Sequence, residues 1–154
     1  PLFEWTRDFD HELHEFHLFG PQQEPIEIPP WIHYHGPATP DELAQEWFPT
    51  ATGMISLSQH AEGRPQVLLE AMASGLPIVC SRTPAHADVI EEGESGLLVS
   101  THEEFRAALA RISDRNTGME LALRTQAHAE STYGSWDDCA ERFRRIYERL
   151  SVEA

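Results

Sequence analysis

The spacing of apolar and polar positions changes several times along the chain. Glu15 to Gly20 (EFHLFG) is a short apolar run ending in Gly-Pro, and Trp31 to Gly36 (WIHYHG) alternates, so both predict strands. Residues 21–30 between them hold four prolines and must form a loop. Pro40 to Phe48 predicts a helix, with Thr39 as its cap, proline first and acids in the opening turn. Gly53 to Ser58 (GMISLS) predicts a third strand. Pro65 to Ser74 (PQVLLEAMAS) predicts a helix closed by Gly75, and Pro77 to Ser81 (PIVCS) a buried strand. Pro84 to Glu91 suggests a short helix, and Gly93 to Gly96 a turn into Leu97-Leu98-Val99. Residues 102–113, 117–131 and 135–150 predict three closing helices. In the last, Trp136, Ala140, Phe143, Ile146, Tyr147 and Leu150 recur at helical spacing, and this face, like that of residues 105–112, is expected in the core. Residues 1–12 show no period and read as a loose lead-in.

Strands alternating with helices imply an α/β fold: a Rossmann-like parallel sheet with flanking helices, as one domain over residues 1–154. Such sheets bind ligands beyond the carboxyl ends of their strands, which directs attention to the loops after Gly36, Ser58 and Ser81.

Charge narrows the partners. The chain has 154 residues and a formal charge of -15, and all its basic residues are arginine. Residues 1–62 carry eleven carboxylates against one base, Arg7. Nucleic acid and anionic membrane are poor partners for such a surface. No apolar run approaches the roughly 18 residues of a membrane helix. Pro1 to Asp10 is not basic and then apolar, so it does not read as a secretory leader. Cys80 and Cys139 make no disulfide framework, and Cys80 in its apolar run reads as a buried small hydrophobe. His11, His14 and His17 are spaced by three without sharing a face, and His33 and His35 lack carboxylate or cysteine company, so no metal site is expected.

The candidate chemistry lies in Gln59 to Ala73 (QHAEGRPQVLLEAMA). Glu62 precedes the helix and Glu70 lies about one and a half turns inside it, a carboxylate amid Val-Leu-Leu and Ala-Met-Ala. The helix start at Gly63 and Arg64 offers free amides at a positive dipole end, suited to a diphosphate.

Glu62 to Val79 and Asp88 to Val99 resemble the donor-binding signature of retaining GT-B-fold glycosyltransferases, specifically glycosyltransferase family 4, the glycosyl transferases group 1 domain. Tyr133-Gly-Ser-Trp136-Asp137 resembles the segment that opens the final helix of such domains. The resemblance implies the C-terminal half of a GT-B fold, a nucleoside diphosphate sugar as donor, and an acceptor hydroxyl on a glycan, lipid or small molecule. It implies that Glu62 orients hydroxyls of the transferred sugar and that Glu70 binds the ribose. Gly63 and Arg64 would face the diphosphate, and the turn at Gly36 and Pro37 the base. It also implies no metal cofactor, an N-terminal acceptor-binding domain as partner, and a cytoplasmic location, peripheral at the inner membrane face through that other half.

The chain departs from the pattern in two places. It has no lysine to pair with an arginine in clamping the diphosphate, and Pro84-Ala85-His86-Ala87-Asp88 stands where the family has a Gly-Gly pair before Pro-Glu. Residues 1–154 thus resemble a fragment or natural remnant of a longer enzyme, unable to transfer sugar alone. The alternative is a non-catalytic GT-B-like domain serving interaction or regulation. A third reading, an epimerase or phosphorylase of the same fold, matches the wording of Glu62–Ala73 less well.

Overall fold

The computed structural model describes residues 1–22, 24–59 and 63–152. Five short strands, β1 (Phe16–Phe19), β2 (Ile32–Gly36), β3 (Met54–Ser56), β4 (Ile78–Ser81) and β5 (Leu97–Val99), are all paired in parallel. They do not form one continuous sheet. β1 pairs with β2, and a separate sheet has the order β3-β4-β5.

β4 is the centre of the larger sheet, and every residue in it is buried. Its side chains alternate as strand geometry demands. Val79 joins a cluster with Leu97, Val99, Phe105, Leu109 and Ile112, while Ile78 and Cys80 join Leu68, Met72 and Leu98 on the other face. The helices α5 (His102–Ser113) and α3 (Gln66–Ala73) supply those two covers. α3 packs in turn against α6 (Arg115–Thr132).

Local sequence explains the element ends. Thr101 and Glu104 form a reciprocal cap on α5, whose Phe105, Ala108, Leu109 and Ile112 fall on one stripe. Thr39 and Glu42 form the same box at α2 (Pro40–Glu42). The helix expected through Phe48 widens to a π turn over Leu43–Trp47 and tightens to 3₁₀ at Phe48–Thr50, where Pro49 interrupts the regular ladder. Gly75 ends α3 with φ +72, the left-handed conformation that lets Leu76 N–H reach back to Ala71 O.

Two expectations fail. The lead-in is ordered: Leu2–Thr6 forms helix α1, and Leu2, Phe3, Trp5 and Phe9 pack on the core beside Phe105. His102 Nε2 meets Trp5 O at 3.1 Å, and Trp31 Nε1–H donates to the buried Thr6 hydroxyl at 3.3 Å. Its side chains therefore find partners remote in sequence, which no local period reveals. The final helix, α7 (Trp136–Val152), is not core. Trp136 is 88% exposed and Tyr147 64%, with Phe143, Ile146 and Leu150 also exposed. Arg142 ties α7 to the end of α6 through the carbonyls of Thr132 and Tyr133. Among the described residues nothing covers the apolar stripe. No described helix is long and apolar enough to cross a membrane.

Candidate functional site

β3 and β4 lie side by side and run the same way, so the loops leaving Ser56 and Ser81 share one end of the sheet. α3 begins at Gln66 after the first of these loops. Pro65 supplies no side-chain cap, so the first helix amides stay open toward the loop. Gly63 and Arg64 are exposed there, and a Cβ on Gly63 would meet nothing within 4 Å. A ligand can therefore approach the backbone closely.

Glu70 is half-buried, and its carboxylate makes no hydrogen bond or ion pair among the described residues. Leu68, Ala71 and Met72 hold α3 down at 0% exposure, and Gln66 and Ala73, on the Glu70 side, are exposed. The carboxylate thus stands at the wet edge of a rigidly seated helix, one turn past its positive end. The guanidinium of Arg64 lies 5.4 Å from the Tyr133 ring centre. Burial raises the Tyr133 phenol pKa, Arg64 lowers it and Asp88 raises it. The phenol stays protonated and donates to Val89 O at 3.3 Å.

A residue that motif reading passed over braces this end of the sheet. His86, in α4 (Pro84–Ala87), is 1% exposed. Its Nδ1 lies 2.7 Å from Ser81 O; a carbonyl only accepts, so Nδ1 carries the proton. Nε2 is then free to accept from the Ser56 hydroxyl, at 3.4 Å. The Ser81 hydroxyl donates to Ser58 O at 2.5 Å. The imidazole and two serines thereby tie the ends of β3 and β4 together, which fixes where the loop toward α3 departs. The Ser-Leu-Ser rhythm of residues 56–58 was the available signal, but only the β3–β4 register brings it to His86.

Gly36 and Pro37 lie elsewhere, at the end of β2 in the other sheet. Gly36 has φ +75, and its carbonyl accepts from Gly20 N–H at 2.9 Å. No hydrogen bond among the described residues joins them to α3. Glu62 lies outside the described residues.

The histidines gather more than their spacing suggested. His17 pairs with His33 across the strands, and the rings of His17 and His35 stack with Nδ1 2.9 Å from Nε2. Trp47 packs on His35 at 4.4 Å between ring centres. No group of three or more His, Cys, Asp or Glu among the described residues is placed to hold a metal ion. A cleft of about 1010 Å³ runs between β1 and β3 and does not touch Gly63, Arg64 or Glu70.

A parallel α/β layer with an open helix terminus at its strand ends is a Rossmann-like architecture. The model of the family "Glycosyl transferases group 1" matches residues 6–115, and the chain belongs to that family. It is 34% identical over 119 residues to the D-inositol 3-phosphate glycosyltransferase of Acidothermus cellulolyticus, covering 76% of this chain and 26% of that protein. The sucrose-phosphate synthase structure from Thermosynechococcus elongatus superposes with TM-score 0.67 at 21% identity, covering 80% of this chain and 31% of that one. Anabaena HepE, solved in complex with UDP-glucose, superposes with TM-score 0.61 at 20% identity, over 80% and 33% of the two chains. The fold is that of the Rossmann-like half of a GT-B glycosyltransferase. The chain spans about a quarter of the length of the curated relatives it matches.

Proposed function

We propose that this chain is the C-terminal, donor-binding half of a retaining family-4 glycosyltransferase, which moves a sugar from a nucleoside diphosphate sugar to an acceptor hydroxyl. The observation that carries the reading is Glu70: a half-buried carboxylate without a partner among the described residues, just inside an uncapped helix start at the carboxyl ends of parallel strands. A carboxylate held so accepts hydrogen bonds from vicinal hydroxyls such as those of a ribose. The open amides near Gly63 and Arg64 face the diphosphate and stabilise the charge that grows on it as the glycosidic bond breaks. Glu62 orients hydroxyls of the transferred sugar, and the turn at Gly36 and Pro37 borders the base. The UDP-glucose complex of the Anabaena relative supports a nucleoside diphosphate sugar as the ligand class.

Neutralisation of the leaving group falls to amides and Arg64, with no metal and no lysine. An N-terminal domain supplies the glycan, lipid or small-molecule acceptor, so the chain alone binds donor and transfers nothing. The whole enzyme works in the cytoplasm, at the inner membrane face when its acceptor is a lipid. Saturation-transfer NMR with UDP, GDP and ADP tests the reading. One nucleotide should show ribose and phosphate-proximal transfer that Glu70→Ala removes; silence from all three with folded protein would count against it.

A further inference from the structure

Arg64 is the basic residue of the candidate site, and an aromatic ring holds its side chain where an acid would be the common partner. Its guanidinium carbon stands over the Tyr133 ring, 5.4 Å from the centre. Among the described residues Arg64 makes no ion pair or hydrogen bond. By contrast Arg82 is paired with Glu92, Arg124 with Glu94 and Glu120, and Arg144 and Arg145 share Glu141. The difference is chemical. A guanidinium paired with a carboxylate has its charge and some of its N–H groups engaged. One attracted to the face of a ring is held without giving up an N–H donor to an oxygen, so its donors stay open to a second partner.

Tyr133 itself is fixed from several sides. It follows α6, and its N–H donates to Ala129 O at 3.0 Å. Its hydroxyl donates to Val89 O at 3.3 Å, in the segment after α4. Its own carbonyl accepts from the Arg142 guanidinium of α7 at 2.7 Å. The His128 ring meets it edge-on, and Gly134 at φ +66 turns the chain directly after it. The ring packs on the apolar cluster of Leu68, Met72 and Val89, the same cluster that seats α3. Tyr133 is therefore the rigid member of the pair, and the exposed Arg64 side chain is the movable one. Asp88 lies close enough to the same ring to raise its pKa while Arg64 lowers it, yet no ion pair joins Asp88 to Arg64. An acid thus stands near to engage the guanidinium once the ring is gone.

We propose that Tyr133 is a positioning residue for the donor diphosphate. Its ring holds the Arg64 guanidinium beside the open start of α3 with the N–H donors unengaged, so that charge and helix amides meet the phosphates together. In a chain without lysine, this arginine supplies the cationic part of that contact. The ring performs this role, and the hydroxyl only anchors the ring to Val89. The inference rests on the donor-site reading and adds to it the residue that sets where the cation stands.

The test is a double-mutant cycle on residues 1–154, read by NMR titration with UDP, GDP and ADP at low salt. The Arg64 side-chain shifts of the ligand-free protein are read alongside. In wild type and in Tyr133→Phe, the Arg64 δ-methylene protons should carry an upfield ring-current shift, and both proteins should bind the same nucleotide equally. Tyr133→Leu should lose that shift and bind about two- to fivefold more weakly. In an Arg64→Ala background, Tyr133→Leu should have no further effect. Equal affinity in wild type and Tyr133→Leu would overturn the proposal and leave the donor-site reading standing. So would an equal loss in the phenylalanine and leucine variants, or a leucine effect that persists without Arg64. Absence of binding of all three nucleotides to folded wild-type protein would overturn the donor-site reading, and this proposal with it.

Discussion

Replacing His86 by alanine should cost more than any surface change, because it removes volume and polar partners at once. The ring is 1% exposed, so its loss leaves a cavity at the junction of α4 with β3 and β4. Large-to-small changes at such sites cost about 2–4 kcal/mol. Ser81 O, which accepts from Nδ1 at 2.7 Å, loses that donor but keeps the Thr83 N–H at 2.8 Å, so the lost bond is worth about 0.5–1.5 kcal/mol. The two overlap, so the expected total is about 3–5 kcal/mol, a large share of a small domain's stability. His86→Phe keeps the volume and removes only the hydrogen bonds; its expected cost is about 1–3 kcal/mol. Equilibrium urea unfolding followed by tryptophan fluorescence reads both, provided the m-values agree. If alanine costs under about 1 kcal/mol, or phenylalanine costs nothing, the brace has been misread.

Three other outcomes follow from the geometry. Burial, with Glu92 adding, pushes the Cys80 thiol up to about 12, so at pH 8 Ellman's reagent should titrate only Cys139 in folded protein and both thiols in urea. Burial first, then His17 and His33, lowers the His35 pKa from its ordinary 6.5. The unfolded chain then takes the proton more readily, so the urea midpoint should fall as pH drops through 6.5, less steeply in His35→Asn; a flat profile would refute the cluster. A Cβ at Gly118 would strike the Ile112 carbonyl, which cannot rotate away. Gly118→Ala should therefore destabilise by about 1–3 kcal/mol despite alanine's better helix propensity, and a neutral result in the same unfolding assay would show the α5–α6 turn to be pliable.

Much of the fold is written locally. Pro65 before a Leu-Leu-Glu-Ala-Met run and Gly75 after it bound α3 to within a residue, because proline and glycine act on their own backbone. The capping box at Thr39 is equally local. What escaped depends on partners distant in the chain. α1 is ordered by Phe105 and His102, nearly a hundred residues away. His86 acquires its role only when β3 and β4 align. The stripe on α7 shows the converse error: helical periodicity reveals an apolar face but not whether this domain covers it. At the candidate site, Gly63, Arg64 and Glu70 lie on one segment, so a local motif can propose them together. The placing of Gly36 and Pro37 against them is a matter of how two sheets meet, which no local pattern encodes.

Calorimetric titration of the chain with UDP, GDP, ADP and their sugar conjugates at low salt, beside Glu70→Ala, tests the central claim most directly. The account predicts saturable binding of one nucleotide series, even at about millimolar strength, lost in the variant while its unfolding midpoint is unchanged. Binding that survives Glu70→Ala, or no binding of any nucleotide by the folded chain, would contradict it.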